Sequence, residues 1–112
     1  MVRYLLLLIL ALLISAILLP ICFVFTLIFK GRTDFLFRTA ISIDQLGNVV
    51  GARLFNIALI KSNGWQFGDP DETISSVLGK NKRLGLLKPL GRALDRLLDK
   101  IDKGHSINSI EE

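Results

Sequence analysis

YLLLLILALLISAILLPICFVFTLIF, residues 4–29, is the stretch whose reading decides the fold. It carries no charge and lies between Arg3 on one side and Lys30 and Arg32 on the other. As an α-helix it would reach roughly 39 Å, more than the roughly 30 Å of hydrocarbon in a bilayer. A helix satisfies its own backbone polar groups, so such a segment can live in lipid. Pro20 lacks an N–H and is expected to kink it, which helps an over-long span fit. The alternative of a hairpin turning at Pro20 leaves each arm too short to span. A cleaved signal peptide is also disfavoured: the apolar run is about twice the usual core and lacks a small-x-small cleavage site before Lys30. A retained anchor over residues 1–32 is therefore expected. The positive charges after the run place the remainder on the cytoplasmic side by the positive-inside rule.

Outside the anchor some 80 residues remain, near the lower limit for an independent hydrophobic core. The expected architecture is all-α: a single transmembrane helix, a membrane-proximal domain of about three helices over 33–104, and a polar tail over 105–112. Lys plus Arg outnumber Asp plus Glu by 14 to 10, a mild preference for anionic partners. Cys22, the one cysteine, lies within the apolar run, so neither an internal disulfide nor a cysteine zinc site has support.

Thr33 or Asp34 can cap a second helix, expected from Phe35 to about Lys61. It is strongly apolar, but Arg38, Asp44, Gln45, Asn48 and Arg53 make a second span too costly. Gly47 and Gly51 would permit close approach of another backbone. Residues 62–68 read as a loop whose Trp65 and Phe67 either rest among headgroups or pack on the domain. Asp69-Pro70-Asp71-Glu72 reads as a helix start with Asp69 as N-cap, Pro70 at N1 and Glu72 completing a capping box. That helix is expected to stop at Gly79. Lys80, Lys82, Arg83, Lys88 and Arg92 follow with no acid among them, a cluster suited to anionic lipid headgroups. Nucleic acid is the weaker partner, since no aromatic ring is interleaved to stack on bases. The last helix, Pro89 to Lys103, sets Leu90, Ala93, Leu94, Leu97, Leu98 and Ile101 on one face.

The polar residues Asp44, Gln45, Asn48, Glu72, Thr73, Ser75, Asp102 and His105 admit three readings beside that of a face for a protein partner. The first is a buried hydrogen-bonded network, with Asp44 accepting from a helix N-terminus or from His105. The second is a metal site of Asp44, Glu72 and His105, although no spacing matches a known site and no cofactor is expected. The third is hydrolytic: His105 as base, oriented by Asp102 or Asp44, with Ser75, Ser76 or Ser106 as nucleophile.

Asp44-Gln45-x-x-Asn48, Gly68-Asp69-Pro70-Asp71-Glu72-Thr73-Ile74-Ser75-Ser76, Gly91-Arg92, Ile101-Asp102-x-Gly104-His105 and Ser109-Ile110-Glu111 together resemble a family of small uncharacterised proteins of tailed bacteriophages and prophages. The resemblance covers roughly residues 40–111. Members often lack the anchor and usually carry Cys after the histidine, where this chain has Ser106. The resemblance implies a phage or prophage origin and a single compact unit containing Asp44, Asp71 and His105; it supplies no activity. The reading that follows is an accessory factor at the host cytoplasmic membrane, acting through an unidentified protein partner or lipid. A membrane-tethered hydrolase or metal-dependent enzyme is the alternative, and a holin-like lysis factor the third.

Overall fold

The computed structural model describes residues 1–29 and 32–111. Among the described residues there are six helices: α1 (Val2–Leu27), α2 (Arg32–Val50), α3 (Ala52–Ala58), α4 (Ile74–Leu84), α5 (Pro89–Ile101) and α6 (His105–Asn108). The all-α expectation holds, with more and shorter helices after α1 than the three expected. The chain divides into two compact units, Met1–Arg38 and Thr39–Glu112.

In the first unit, α1 runs unbroken through Pro20 and buries none of its residues. It is long and apolar enough to cross a membrane. Thr26 returns its hydroxyl to the carbonyl of Cys22 at 2.8 Å, which hides a polar group within the helix. Lys30 and Gly31, part of the expected membrane exit, lie outside the described residues. Thr33 and Asp34 are not caps. They fall inside the first turn of α2, where Asp34 pairs with Arg38 at 3.0 Å.

In the second unit α2 passes into α3 at Gly51, and backbone bonds from Gly51 to Gly47 (2.8 Å) and Phe55 to Gly51 (2.9 Å) carry the helical ladder across the junction. The run ends at Ala58, with Leu59 as its C-cap, rather than at Lys61, because Ile60 leaves the helix to form an antiparallel bridge with Leu87. Around that bridge lies a small core of Leu59, Ile60, Phe67, Val77, Leu78 and Leu87, flanked by Ala52, Phe55, Ala58, Ile74, Leu94 and Leu98. Phe67 therefore packs in the domain, edge-on to Phe55 with ring centroids 5.5 Å apart.

Three helix boundaries differ from expectation. α4 begins at Ile74, capped by Thr73, whose hydroxyl accepts from the Ser76 N–H at 3.0 Å. Asp69 instead caps a turn, accepting from Asp71 N at 2.9 Å. α4 also runs past Gly79 to Gly85, which supplies the left-handed stop at φ 73°. Gly79 is where α6 crosses: a Cβ there would lie 2.2 Å from the Ser106 carbonyl oxygen. Finally, α5 stops at Ile101, and residues 105–111 are not a loose tail. Gly104, at φ 73°, turns the chain into α6, which packs on α4 and buries Ser106.

Candidate functional site

Residues of four of the five motifs meet at the N-terminus of α4, whereas Gly91 and Arg92 lie against Leu59 and Leu87. Four amide groups at the start of any helix lack an intrahelical acceptor and carry partial positive charge. Asp44 of α2 takes the Ile74 amide on Oδ1 at 2.7 Å, the arrangement expected of a buried network. Glu111, from the chain's far end, accepts from Thr73 N at 3.3 Å, and its own amide donates to Ser76 Oγ at 2.8 Å.

One turn along α2 from Asp44, Asn48 is wholly buried. Its Nδ2 donates to the carbonyls of Glu72 (2.7 Å) and Asp69 (3.0 Å), while Oδ1 accepts from Gly68 N at 3.0 Å. Gln45 adds a bond to the Asp71 carbonyl at 3.1 Å. The 68–72 turn thus hangs from one face of α2. Gly47 belongs to the same contact, since a Cβ there would meet Ile74 Cδ1 at 3.1 Å.

Glu72 does not complete a capping box. Its carboxylate accepts from Trp65 Nε1 (3.0 Å) and Ser76 Oγ (2.6 Å), and it pairs with Lys80 at 2.6 Å. The Lys80 ammonium also lies 4.1 Å from the centre of the Trp65 ring. Trp65 is thereby tied to the domain, with Asn81 bonding both its amide and its carbonyl.

A third group runs along α6. His105 Nδ1 lies 2.9 Å from Asp102 Oδ2, and Nε2 lies 3.1 Å from Ser75 Oγ. Ser75 Oγ in turn lies 3.2 Å from Asp44 Oδ2. The order carboxylate–imidazole–hydroxyl is that of a hydrolytic triad. Its surroundings oppose that chemistry. Ser75 is only 5% exposed. Its single proton, given to Asp44, leaves none for His105 to take; given to His105, it leaves two oxygens facing each other. A developing oxyanion would sit beside Asp44, and the amides of Thr73, Ile74 and Ser76 are already taken. A cavity of about 610 Å³ lies elsewhere, lined by Trp65, Asp69, Asp71, Lys80, Arg83 and Glu111 among others; neither Ser75 nor His105 lines it.

The metal trio does not assemble: Asp44 and His105 both reach Ser75, but Glu72 turns to Lys80 and Trp65. Among the described residues no group of three His, Cys, Asp or Glu side chains could hold a metal ion.

Nor do the five expected lipid-binding cations form a free patch. Lys80 is buried against Glu72, and Lys82 pairs with Asp95 at 2.9 Å. Lys88 donates to the Ile57 carbonyl at 2.6 Å, Arg92 to the Leu87 carbonyl at 2.8 Å, and Arg83 also has a partner. Asp95 additionally accepts from Ser106 Oγ. Burial pushes the Asp95 carboxyl up, but the Ser106 hydroxyl and the Lys82 ammonium outweigh it and hold the group below the ordinary carboxylate range. The hydrogen bond to Asp95 correspondingly raises Lys82. The Asp95–Ser106 contact was not foreseen, although an acid at an otherwise inward helix position is the signal that could have found it.

Among the described residues, every fully buried side-chain nitrogen and oxygen has a hydrogen-bond partner. No protein-family model, curated protein or solved structure matches the chain.

Proposed function

We propose that this chain is a membrane-tethered, non-enzymatic accessory factor that presents a small self-contained helical module at the cytoplasmic face of a host membrane. The observation that carries the reading is the internal use of the polar constellation: Asp44, Asn48, Glu72 and Glu111 are spent on holding the α4 N-terminus and its turn. Groups so engaged position a fold and leave the surface to make contacts. The apolar α1 supports a tether in the bilayer. The motif resemblance to phage and prophage proteins supports a host cytoplasmic membrane as the setting, and the basic exit supports the orientation.

A membrane-tethered serine hydrolase is the second reading, favoured by the Asp102–His105–Ser75 order alone. A fluorophosphonate probe applied to the full chain in vesicles separates the two. The accessory reading expects no adduct on Ser75, and a melting temperature lowered by about 4–8 °C in His105→Ala for each kcal/mol of lost bonding. Labelling of Ser75 that His105→Ala abolishes without changing the melting temperature would establish the hydrolase instead.

A further inference from the structure

We infer that α5 is the element by which the module lies on the bilayer, with an anionic lipid surface as its partner. This rests on the tether proposed above. At about 100° per residue, Leu90, Leu97 and Ile101 form one row on α5. Leu94 and Leu98, beside that row, turn into the core. The row itself does not: Leu90 is 59%, Leu97 55% and Ile101 78% exposed. The packed core thus covers Leu94 and Leu98 and leaves the rest of the helix's apolar face open.

Charge complementarity selects the occupant. The acids of this region are engaged by the module itself. Asp95 holds Lys82 and Ser106, Asp99 accepts from Gly104 N at 2.8 Å, and Asp102 holds His105. Three of its cations are not. Arg96 and Lys100, on the solvent flank of the apolar row, and Lys103, just past the helix end, are exposed and take part in no ion pair among the described residues. An apolar strip bordered by unpaired cations is the pattern of a helix lying in a headgroup layer. A second copy of the chain would bring these cations against their own kind.

The test uses the full chain in vesicles, in a Cys22→Ser background, with a nitrobenzoxadiazole dye on Leu97→Cys, Ile101→Cys or, on the opposite face, Asp99→Cys. Brominated acyl chains report contact with lipid, and flotation reports the tether. In phosphatidylglycerol-containing vesicles the dyes at 97 and 101 are expected to be quenched and the dye at 99 spared. Arg96→Gln with Lys100→Gln, which removes no internal contact, should lower the docked-to-free ratio about five-fold per charge. Flotation without quenching at 97 and 101 overturns the docking while leaving the tether intact. Equal quenching at all three positions also overturns it. So does a dye at 97 that is shielded from bromine while the unlabelled Leu97→Cys thiols, oxidised with copper phenanthroline, join two copies by a disulfide, which would assign the strip to self-association. Loss of flotation overturns the tether itself.

Discussion

Replacing Asn48 by alanine is the sharpest perturbation of the hub. The amide makes three bonds, to the carbonyls of Asp69 and Glu72 and from the Gly68 amide, at 3.0, 2.7 and 3.0 Å. In Asn48→Ala the Glu72 carbonyl is left buried without its donor, at a cost of about 1–3 kcal/mol. The other two groups lie nearer solvent, where water recovers part of the loss, so the total is about 3 kcal/mol. The unit from Thr39 to Glu112 has a stability of about 4–11 kcal/mol by size, so this is a large share. Asn48→Asp keeps the shape but turns an oxygen toward two carbonyl oxygens, and should cost at least as much. The assay is urea unfolding of the full chain in detergent micelles, followed by the fluorescence of Trp65, which sits beside the affected turn through Glu72. An Asn48→Ala variant within about 0.5 kcal/mol of the parent would refute the hub, since that is the range of an ordinary surface change.

Two further perturbations test the packing around it. Gly79→Ala should gain about 1 kcal/mol by helix propensity alone; the Ser106 carbonyl in its path reverses the sign, to a net loss of about 1–2 kcal/mol in the same unfolding assay. Asp95→Asn should cost about 1–2 kcal/mol at pH 7. Because the folded Asp95 carboxyl titrates below its unfolded value, its contribution is present above the ordinary carboxylate range and is lost as pH falls through the folded value. The gap between parent and Asp95→Asn should therefore close as pH drops below about 4 in a stability–pH series. Lys82, raised in the folded state, contributes below the ordinary lysine range and loses that contribution only as pH rises through its folded value.

The long apolar helix α1 and α5 were legible because each rests on a pattern that needs no partner: an uncharged run in one, an i, i+3, i+4 rhythm in the other. The start of α4 was not. Asp69-Pro70-Asp71-Glu72 reads as a helix start, yet Thr73 is the N-cap that α4 uses, and local chemistry does not reveal that. Tertiary bonds choose: Asn48 claims the Asp69 and Glu72 carbonyls, and Asp44 claims the Ile74 amide. Gly79 misleads for a related reason. A glycine that ends a helix and one that admits a neighbouring backbone look the same until the Ser106 carbonyl is in place. The same limit governs the cations. Lys80 and Lys82 read as free charge because Glu72 and Asp95 lie eight and thirteen residues away, beyond helical i, i+4 pairing. The sequence marks Asp44, Ser75, Asp102 and His105 as candidate polar residues, but neither their meeting nor the closure of Ser75 by Asp44 can be read from it.

The account rests most heavily on α1 remaining in lipid with the module attached. Sodium carbonate extraction of membranes at pH 11, followed by intact mass of the recovered chain, tests this directly. The prediction is a pellet-bound, detergent-soluble species at the full 12.5 kDa, residues 1–29 included. Recovery in the carbonate supernatant, or a chain beginning after Phe29, would contradict it.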